Sequence, residues 1–140
     1  MIFIGNDIVE ISRIDRLLKK YKNHFLNKIF SKNEIDIVGN KLHTSIHLSG
    51  KFAAKEASKK ALMAAGLRNV YLKDIQILNK EDGAPYIFLN KSSDNRFTDI
   101  VKSIKSFQVS ISHTNNYATA VTILDTFFEQ EDLERDFNKP

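Results

Sequence analysis

Cysteine is absent from the 140 residues, which excludes a disulfide framework, a thiolate zinc site, and thiol or iron–sulfur chemistry. No apolar run approaches the roughly 20 residues that a membrane helix requires, so membrane association is not expected. The start, Met1-Ile2-Phe3-Ile4-Gly5-Asn6-Asp7, has no basic segment ahead of its apolar one, which argues against a secretory signal peptide. Internal repeats, low-complexity tracts and linkers are missing as well. There is no Walker loop and no Gly-x-Gly-x-x-Gly fingerprint. A Ser-His hydrolase lacks its Gly-x-Ser-x-Gly elbow. These absences leave a cytoplasmic protein with one main domain. A chain of this length buries roughly two-thirds of its unfolded surface, so it needs neither disulfide nor metal to fold.

What is present begins with charge. The net value is +4, but it is unevenly spread. Residues 125–140 carry six acidic side chains against Arg135 and Lys139, and the first 124 residues carry +8. The chain therefore divides into a basic body, residues 1–124, and an acidic C-terminal tail, residues 125–140. A basic body suits an acidic partner or a phosphorylated ligand.

The pattern along the chain is α+β. Ile2–Val9 is β-branched and reads as a strand. Ile11, Ile14, Leu17, Leu18, Tyr21 and Phe25 then recur at helical spacing. Ser31 with Glu34 three residues on is a capping-box signal for a short helix ending near Gly39. His47–Ala65 is the strongest helix candidate, rich in Ala and Lys, with Gly66 where a C-terminal cap belongs. Asp74–Asn79 and Pro85–Leu89 read as strands joined by a turn at Glu81-Asp82-Gly83-Ala84. Lys91–Asn95 reads as a loop and Asp94–Ile104 as a helix. Phe107–His113 and Tyr117–Leu124 form a second expected hairpin around Thr114-Asn115-Asn116. The tail after Asp125 reads as a loose helix or a disordered segment. The expected fold is a mostly antiparallel sheet packed on a long central helix.

Four groups of residues could carry chemistry. Asp7 ends an apolar stretch and offers oxygen to a hard cation such as Mg²⁺, although Asp7 and Glu10 equally suit the start of the helix that follows. Glu56 and Lys60 share a helix face near Phe52. They read either as a surface ion pair or as a metal-binding carboxylate beside a phosphate-binding ammonium. Ser110 and Ser112 alternate with Val109, Ile111 and His113, and Ser112 to Asn115 form a polar strand end. Such a run is either a hydrogen-bonding turn or the mouth of a site. Arg13, Arg16, Lys19, Lys20 and Lys22 make the first helix basic, either as a solvated face or as a docking surface. No aromatic stacking residues or nucleic-acid module accompany them.

Taken in order, these segments resemble a known family. Gly5-Asn6-Asp7-Ile8-Val9-Glu10-Ile11-Ser12-Arg13-Ile14 is similar to the N-terminal signature of the holo-acyl-carrier-protein synthases. Phe52-Ala53-Ala54-Lys55-Glu56-Ala57-Ser58-Lys59-Lys60-Ala61 resembles their helix motif. Gly83-Ala84-Pro85-Tyr86, Ser110-Ile111-Ser112-His113-Thr114 and Tyr117-Ala118-Thr119-Ala120 resemble their later strands. The order and spacing run from near residue 4 to near residue 124.

The resemblance implies a phosphopantetheinyl-transferase-like fold and a Mg²⁺-dependent enzyme. It would move 4′-phosphopantetheine from coenzyme A to a serine of apo acyl carrier protein and release adenosine 3′,5′-bisphosphate. That reaction supports fatty-acid biosynthesis in a bacterial cytoplasm. Asp7 and Glu56 would hold the metal, and Lys60 would join them in catalysis by meeting the phosphates. Lys51, Phe52, Lys60, His113 and Thr114 would bind coenzyme A. Arg13, Arg16 and Lys20 would face the acidic carrier protein. The resemblance also implies a homotrimer with its sites between protomers. The serine proton has three candidate acceptors: Asp7, Glu56 and a metal-bound water.

Some positions depart from the family pattern. Asn6 stands where Thr is usual, Lys51 where Arg is common, and Ala84 where Lys is usual. Leu62-Met63-Ala64-Ala65-Gly66 replaces a Gly-Thr-Gly turn one residue shorter. That last change supports a carrier-binding module without activity, but the polar site residues are all retained. A basic nucleic-acid-binding domain accounts for the +8 body and leaves Asp7, Glu56 and the ordered motifs unexplained. No nucleic-acid partner is therefore expected.

Overall fold

A long helix, Thr44–Ala64, lies across a three-stranded antiparallel sheet and carries a second, two-stranded sheet on its flank. The computed structural model describes residues 1–39, 43–67, 69–90 and 95–127. In chain order the elements are β1 (Ile2–Glu10), α1 (Ile11–Ile29), α2 (Lys32–Val38) and α3 (Thr44–Ala64). A 3-10 turn at Leu72–Asp74 leads into β2 (Ile75–Asn79) and β3 (Pro85–Leu89). The chain then forms α4 (Asn95–Ser103), β4 (Ile104–His113) and β5 (Tyr117–Thr126). The loop expected around 91–94 and the tail beyond residue 127 lie outside the described residues.

Both expected hairpins form. β2 pairs with β3 from Ile75–Leu89 to Asn79–Pro85, and β4 pairs with β5 around the turn at 114–116. The larger sheet has the order β1-β5-β4, so β1 is an edge strand registered on β5 over its whole length, from Ile2–Asp125 to Glu10–Tyr117. Strand β5 thus runs to Thr126, where the Thr126 N–H donates to the Met1 carbonyl.

Helix α3 can approach the sheet because its contact face is made of small residues. Ala53, Ala54, Ala57 and Ala61 are all fully buried. Facing them is Gly5, where an added Cβ would stand 1.8 Å from the Ala57 carbonyl oxygen. Only a residue without Cβ fits there. Larger side chains fill the space around this contact: Ile14, Phe30, Leu48, Leu62, Leu67, Ile75, Ile77 and Leu124 are buried to 2% exposure or less.

Helix ends follow local chemistry. Ser31 and Glu34 make the expected capping box at α2. At the end of α3, Gly66 takes φ +101°, Leu67 N–H donates to the Leu62 carbonyl, and Gly66 N–H donates to that of Met63. This is a Schellman cap, with Leu62 and Leu67 both buried beneath it.

Helix α1 departs from its expected regularity. Its backbone breaks at Lys22 (φ 39°, ψ −120°), so the element is two helical pieces joined by a kink. Ile11 and Ile14 are buried on the first piece, while Tyr21 is 45% exposed and does not continue that stripe. Beyond the break, Phe25, Leu26 and Ile29 pack against the core, with the Phe25 ring edge-on to Phe30 at 6.2 Å.

Candidate active site

Asp7 lies inside β1, because the strand continues three residues beyond it to Glu10. Alternation puts Phe3, Gly5, Asp7 and Val9 on the face toward α3 and Ile2, Ile4, Asn6, Ile8 and Glu10 on the outer face. Its carboxylate caps no helix: Glu10 occupies the cap position of α1 and makes no side-chain cap bond. Asp7 Oδ1 instead accepts a hydrogen bond from Lys60 Nζ at 3.1 Å, and the same ammonium donates to the Asn6 carbonyl at 2.9 Å.

Of the two readings of Glu56 and Lys60, the surface ion pair does not form, because β1 offers Lys60 a nearer carboxylate. Among the described residues Glu56 has no ion-pair partner. Glu56 sits one turn before Lys60 and beside Ala57, the residue against which Gly5 packs. The contact of β1 with α3 therefore sets Asp7 against Lys60, with Glu56 one helical turn before Lys60. Two carboxylates supply the oxygen donors a hard cation takes, although among the described residues no group of three or more metal-ligating side chains occurs.

Lys51 and His113 lie elsewhere. They line a cavity of about 460 Å³ together with His47, Gly50, Gly83 and Pro85. The Lys51 ammonium is turned inward, donating to the Ile77 carbonyl and, at 3.0 Å, to Asn79 Oδ1. Phe52 is half-buried against the core. Thr114 Oγ1 accepts from the N–H groups of Asn116 (3.2 Å) and Tyr117 (3.1 Å), so this hydroxyl shapes the hairpin turn. Nine residues separate Lys51 from Lys60 on α3, a rise of about 14 Å. Within one chain, the carboxylate rim and the His113 cavity are separate places.

A second, larger cavity of about 710 Å³ lies between the starts of α1 and α3 and the β4–β5 turn. Its lining includes Glu10, Ser12, Asp15 and Asn116, and neither cavity is lined by Asp7, Glu56 or Lys60. The hydrogen bond from Lys19, then that from the Ser45 hydroxyl, holds the Asp15 carboxyl below its ordinary value. Arg13, Arg16 and Lys20 project into solvent from the first piece of α1. Lys19 is engaged by Asp15 at 2.8 Å.

One buried cluster went unread in the sequence. Lys55 and Glu34 form an ion pair in which both side chains are fully buried. Burial pushes the Lys55 ammonium below its ordinary value, and Glu34 opposes that shift. The available signal was spacing: Leu48, Lys51, Lys55, Ser58 and Leu62 fall on one helical face, and that face is buried.

Comparison with known proteins identifies the family. The model of the 4′-phosphopantetheinyl transferase superfamily matches residues 3–122. A holo-acyl-carrier-protein synthase of Protochlamydia amoebophila is 42% identical over 120 residues, covering 86% of this chain and 94% of that protein. Its counterpart in Caldanaerobacter subterraneus is 38% identical, covering 87% and 93%. Among solved structures, the Helicobacter pylori synthase in complex with coenzyme A superposes with a TM-score of 0.72 at 36% identity, covering 87% of this chain and 99% of that one. The Neisseria meningitidis synthase gives 0.78 at 29% identity, covering 90% and 100%. The chain belongs to the holo-acyl-carrier-protein synthase family within that superfamily.

Proposed function

We propose that this protein transfers 4′-phosphopantetheine from coenzyme A to a serine of apo acyl carrier protein, releasing adenosine 3′,5′-bisphosphate in the cytoplasm. The carrying observation is the Asp7–Lys60 contact, which sets an ammonium and a carboxylate at one rim with Glu56 one helical turn away. The serine oxygen bonds to the β-phosphorus, the bond from that phosphorus to the bridging oxygen breaks, and the adenosine bisphosphate leaves with that oxygen. The serine proton passes to a base at the site, for which Asp7 and Glu56 are the candidates this chain supplies. Lys60 presents positive charge where charge gathers on the phosphates, and Asp7 holds Lys60 in place. Mg²⁺ is the metal these hard oxygen donors suit; when bound by Asp7 and Glu56 it neutralises pyrophosphate charge and steadies the leaving group. Arg13, Arg16 and Lys20 receive the acidic carrier.

The protein works as a homotrimer in which neighbouring copies complete each site. Two observations support this. Lys51 and His113, the proposed coenzyme A contacts, line a cavity whose lining does not include Asp7, Glu56 or Lys60, which leaves room for a neighbouring copy to join the two. The outer face of β1 and β5 carries open apolar side chains: Ile4 is 65% exposed, Ile8 63%, Val121 43% and Ile123 44%. An apolar strand face of this kind suits burial against another copy.

The direct test is a mass spectrum of apo acyl carrier protein incubated with this protein, coenzyme A and Mg²⁺, beside an EDTA control. One phosphopantetheine added to the carrier serine, and lost with EDTA, is the expected result. No addition across several carriers, with the protein folded, would leave a carrier-binding module and overturn the transferase reading.

A further inference from the structure

Lys55 immediately precedes Glu56, yet it serves a different face of α3, since neighbouring helical residues project about 100° apart. Its ammonium donates to Glu34 Oε1 and to the Ile75 carbonyl of β2. Glu34 Oε1 also accepts the Ser31 N–H at 2.9 Å, and Oε2 accepts the Ile77 N–H at 3.1 Å. Two side chains thus tie α3 to the start of α2 and to two successive inward positions of β2. No buried side-chain nitrogen or oxygen among the described residues is left without a hydrogen-bond partner.

Stability alone does not account for this pair. Apolar side chains of similar volume commonly serve as well or better, because withdrawing two charges from water is costly. What the pair supplies is direction. The sheet-facing side of α3 is built from Ala53, Ala57 and Ala61, whose small side chains interdigitate weakly. Apolar contact is non-directional and would resist a slide or a twist of α3 poorly. Hydrogen bonds to fixed backbone groups of β2 resist both.

We propose that the buried Glu34–Lys55 pair is a positioning device for the carboxylate rim. It fixes the rotation and axial register of α3, and so sets where Glu56 and Lys60 stand against Asp7. Lys51, one turn earlier, repeats the attachment at the Ile77 carbonyl. On the other flank, the Gly5–Ala57 contact leaves β1 no slack to follow a displaced helix. The proposal rests on the reading of Glu56 and Asp7 as the site of transfer. Neither Glu34 nor Lys55 touches substrate.

The test compares full-length Lys55→Met and Glu34→Gln with Leu67→Ala, a buried control just past the end of α3. In Glu34→Gln the amide nitrogen faces a donor wherever it is placed, so at least one bond of the cluster is lost. Transfer kinetics are measured below every variant's melting transition, and Mn²⁺ binding is measured separately by electron paramagnetic resonance. Lys55→Met is expected to lose roughly 10-fold or more in kcat, with Mn²⁺ affinity weakened by a similar factor, as for other residues that orient metal ligands. Its KM for coenzyme A should stay within about twofold, and Leu67→Ala should keep kcat and Mn²⁺ affinity near wild type despite a lower Tm. If Lys55→Met and Leu67→Ala behave alike, the proposal falls. Should Lys55→Met fail to fold, Glu34→Gln carries the same expectation, and unchanged kcat and Mn²⁺ affinity there overturn it. A wild-type protein without transfer activity would instead refute the functional reading on which the proposal rests.

Discussion

The Lys60 ammonium bonds Asp7 Oδ1 at 3.1 Å while also holding the Asn6 carbonyl at 2.9 Å, so one lysine of α3 grips two successive residues of β1. Lys60 is 55% exposed and Asp7 17%, so this pair contributes little to stability, less than about 1 kcal/mol after screening. Its value lies in placement. Asp7→Asn and Lys60→Met should therefore each lower kcat/KM by a factor on the order of 10²–10³. Neither should shift Tm by more than a few degrees. Glu56→Gln belongs with them, since a neutral amide is a poorer oxygen donor to a hard cation. Steady-state transfer assays beside thermal melts check all three, and full activity in any one removes that residue from the site.

Gly5 sets the distance between β1 and α3. A Cβ at this position would lie 1.8 Å from the Ala57 carbonyl oxygen and 2.7 Å from Thr122 Oγ1. Backbone cannot step aside as a flexible side chain can. Gly5→Ala is expected to destabilise the fold by about 3 kcal/mol, the upper end of overpacking costs. That corresponds to a fall in Tm of roughly 10 °C for a chain of this size. Where it still folds, the strand must retreat from α3 and carry Asp7 away from Lys60, so activity should fall further than stability. A variant with unchanged Tm and activity would show that β1 and α3 are not held at this spacing.

Much of this arrangement could be read from residue order. The α+β pattern, both hairpins and the capping box of α2 follow from local periodicity and turn chemistry, which short segments specify by themselves. The break at Lys22 was not legible, because Tyr21 and Phe25 continue the helical spacing although Tyr21 is exposed. Pairing of β1 with β5 joins residues more than a hundred positions apart, and local patterns do not encode such partners. The same applies to the site. Asp7, Glu56 and Lys60 were visible as chemistry, but the choice of Asp7 over Glu56 as the partner of Lys60 depends on where β1 crosses α3. Glu34 was recognised as a cap, while its second task at Lys55 required the approach of α2 to α3.

The open face of the larger sheet makes its own prediction. Ile4 lies opposite Ile123 across β1 and β5, and both point away from α3. In a single copy, Ile4→Lys keeps its charge in water beside Ile123 and should change stability by no more than about 0.5 kcal/mol. In an assembly it would bury an unpaired charge. Ile4→Lys is therefore expected to yield a folded monomer by sedimentation, with activity reduced on the order of 100-fold because coenzyme A loses the contacts of the neighbouring copy. A variant that remains trimeric, or a monomer with full activity, would refute the shared site.

Arg13 tests the basic helix. It projects from α1 with Arg16 and Lys20, whereas Lys19 is engaged by Asp15 at 2.8 Å. Asp7 and the His113 cavity use other elements, so changing Arg13 should leave coenzyme A handling alone. Arg13→Glu reverses a charge at the surface meant for an acidic carrier, which acts first on encounter and orientation. The KM for carrier protein should rise roughly 10-fold at low salt, while the KM for coenzyme A stays within about twofold. Raising the ionic strength toward 1 M shortens the screening length to about 3 Å, so the gap between variant and wild type should narrow as salt increases. Equal loss for both substrates would place Arg13 in the reaction centre. Loss for neither would move the carrier to another face.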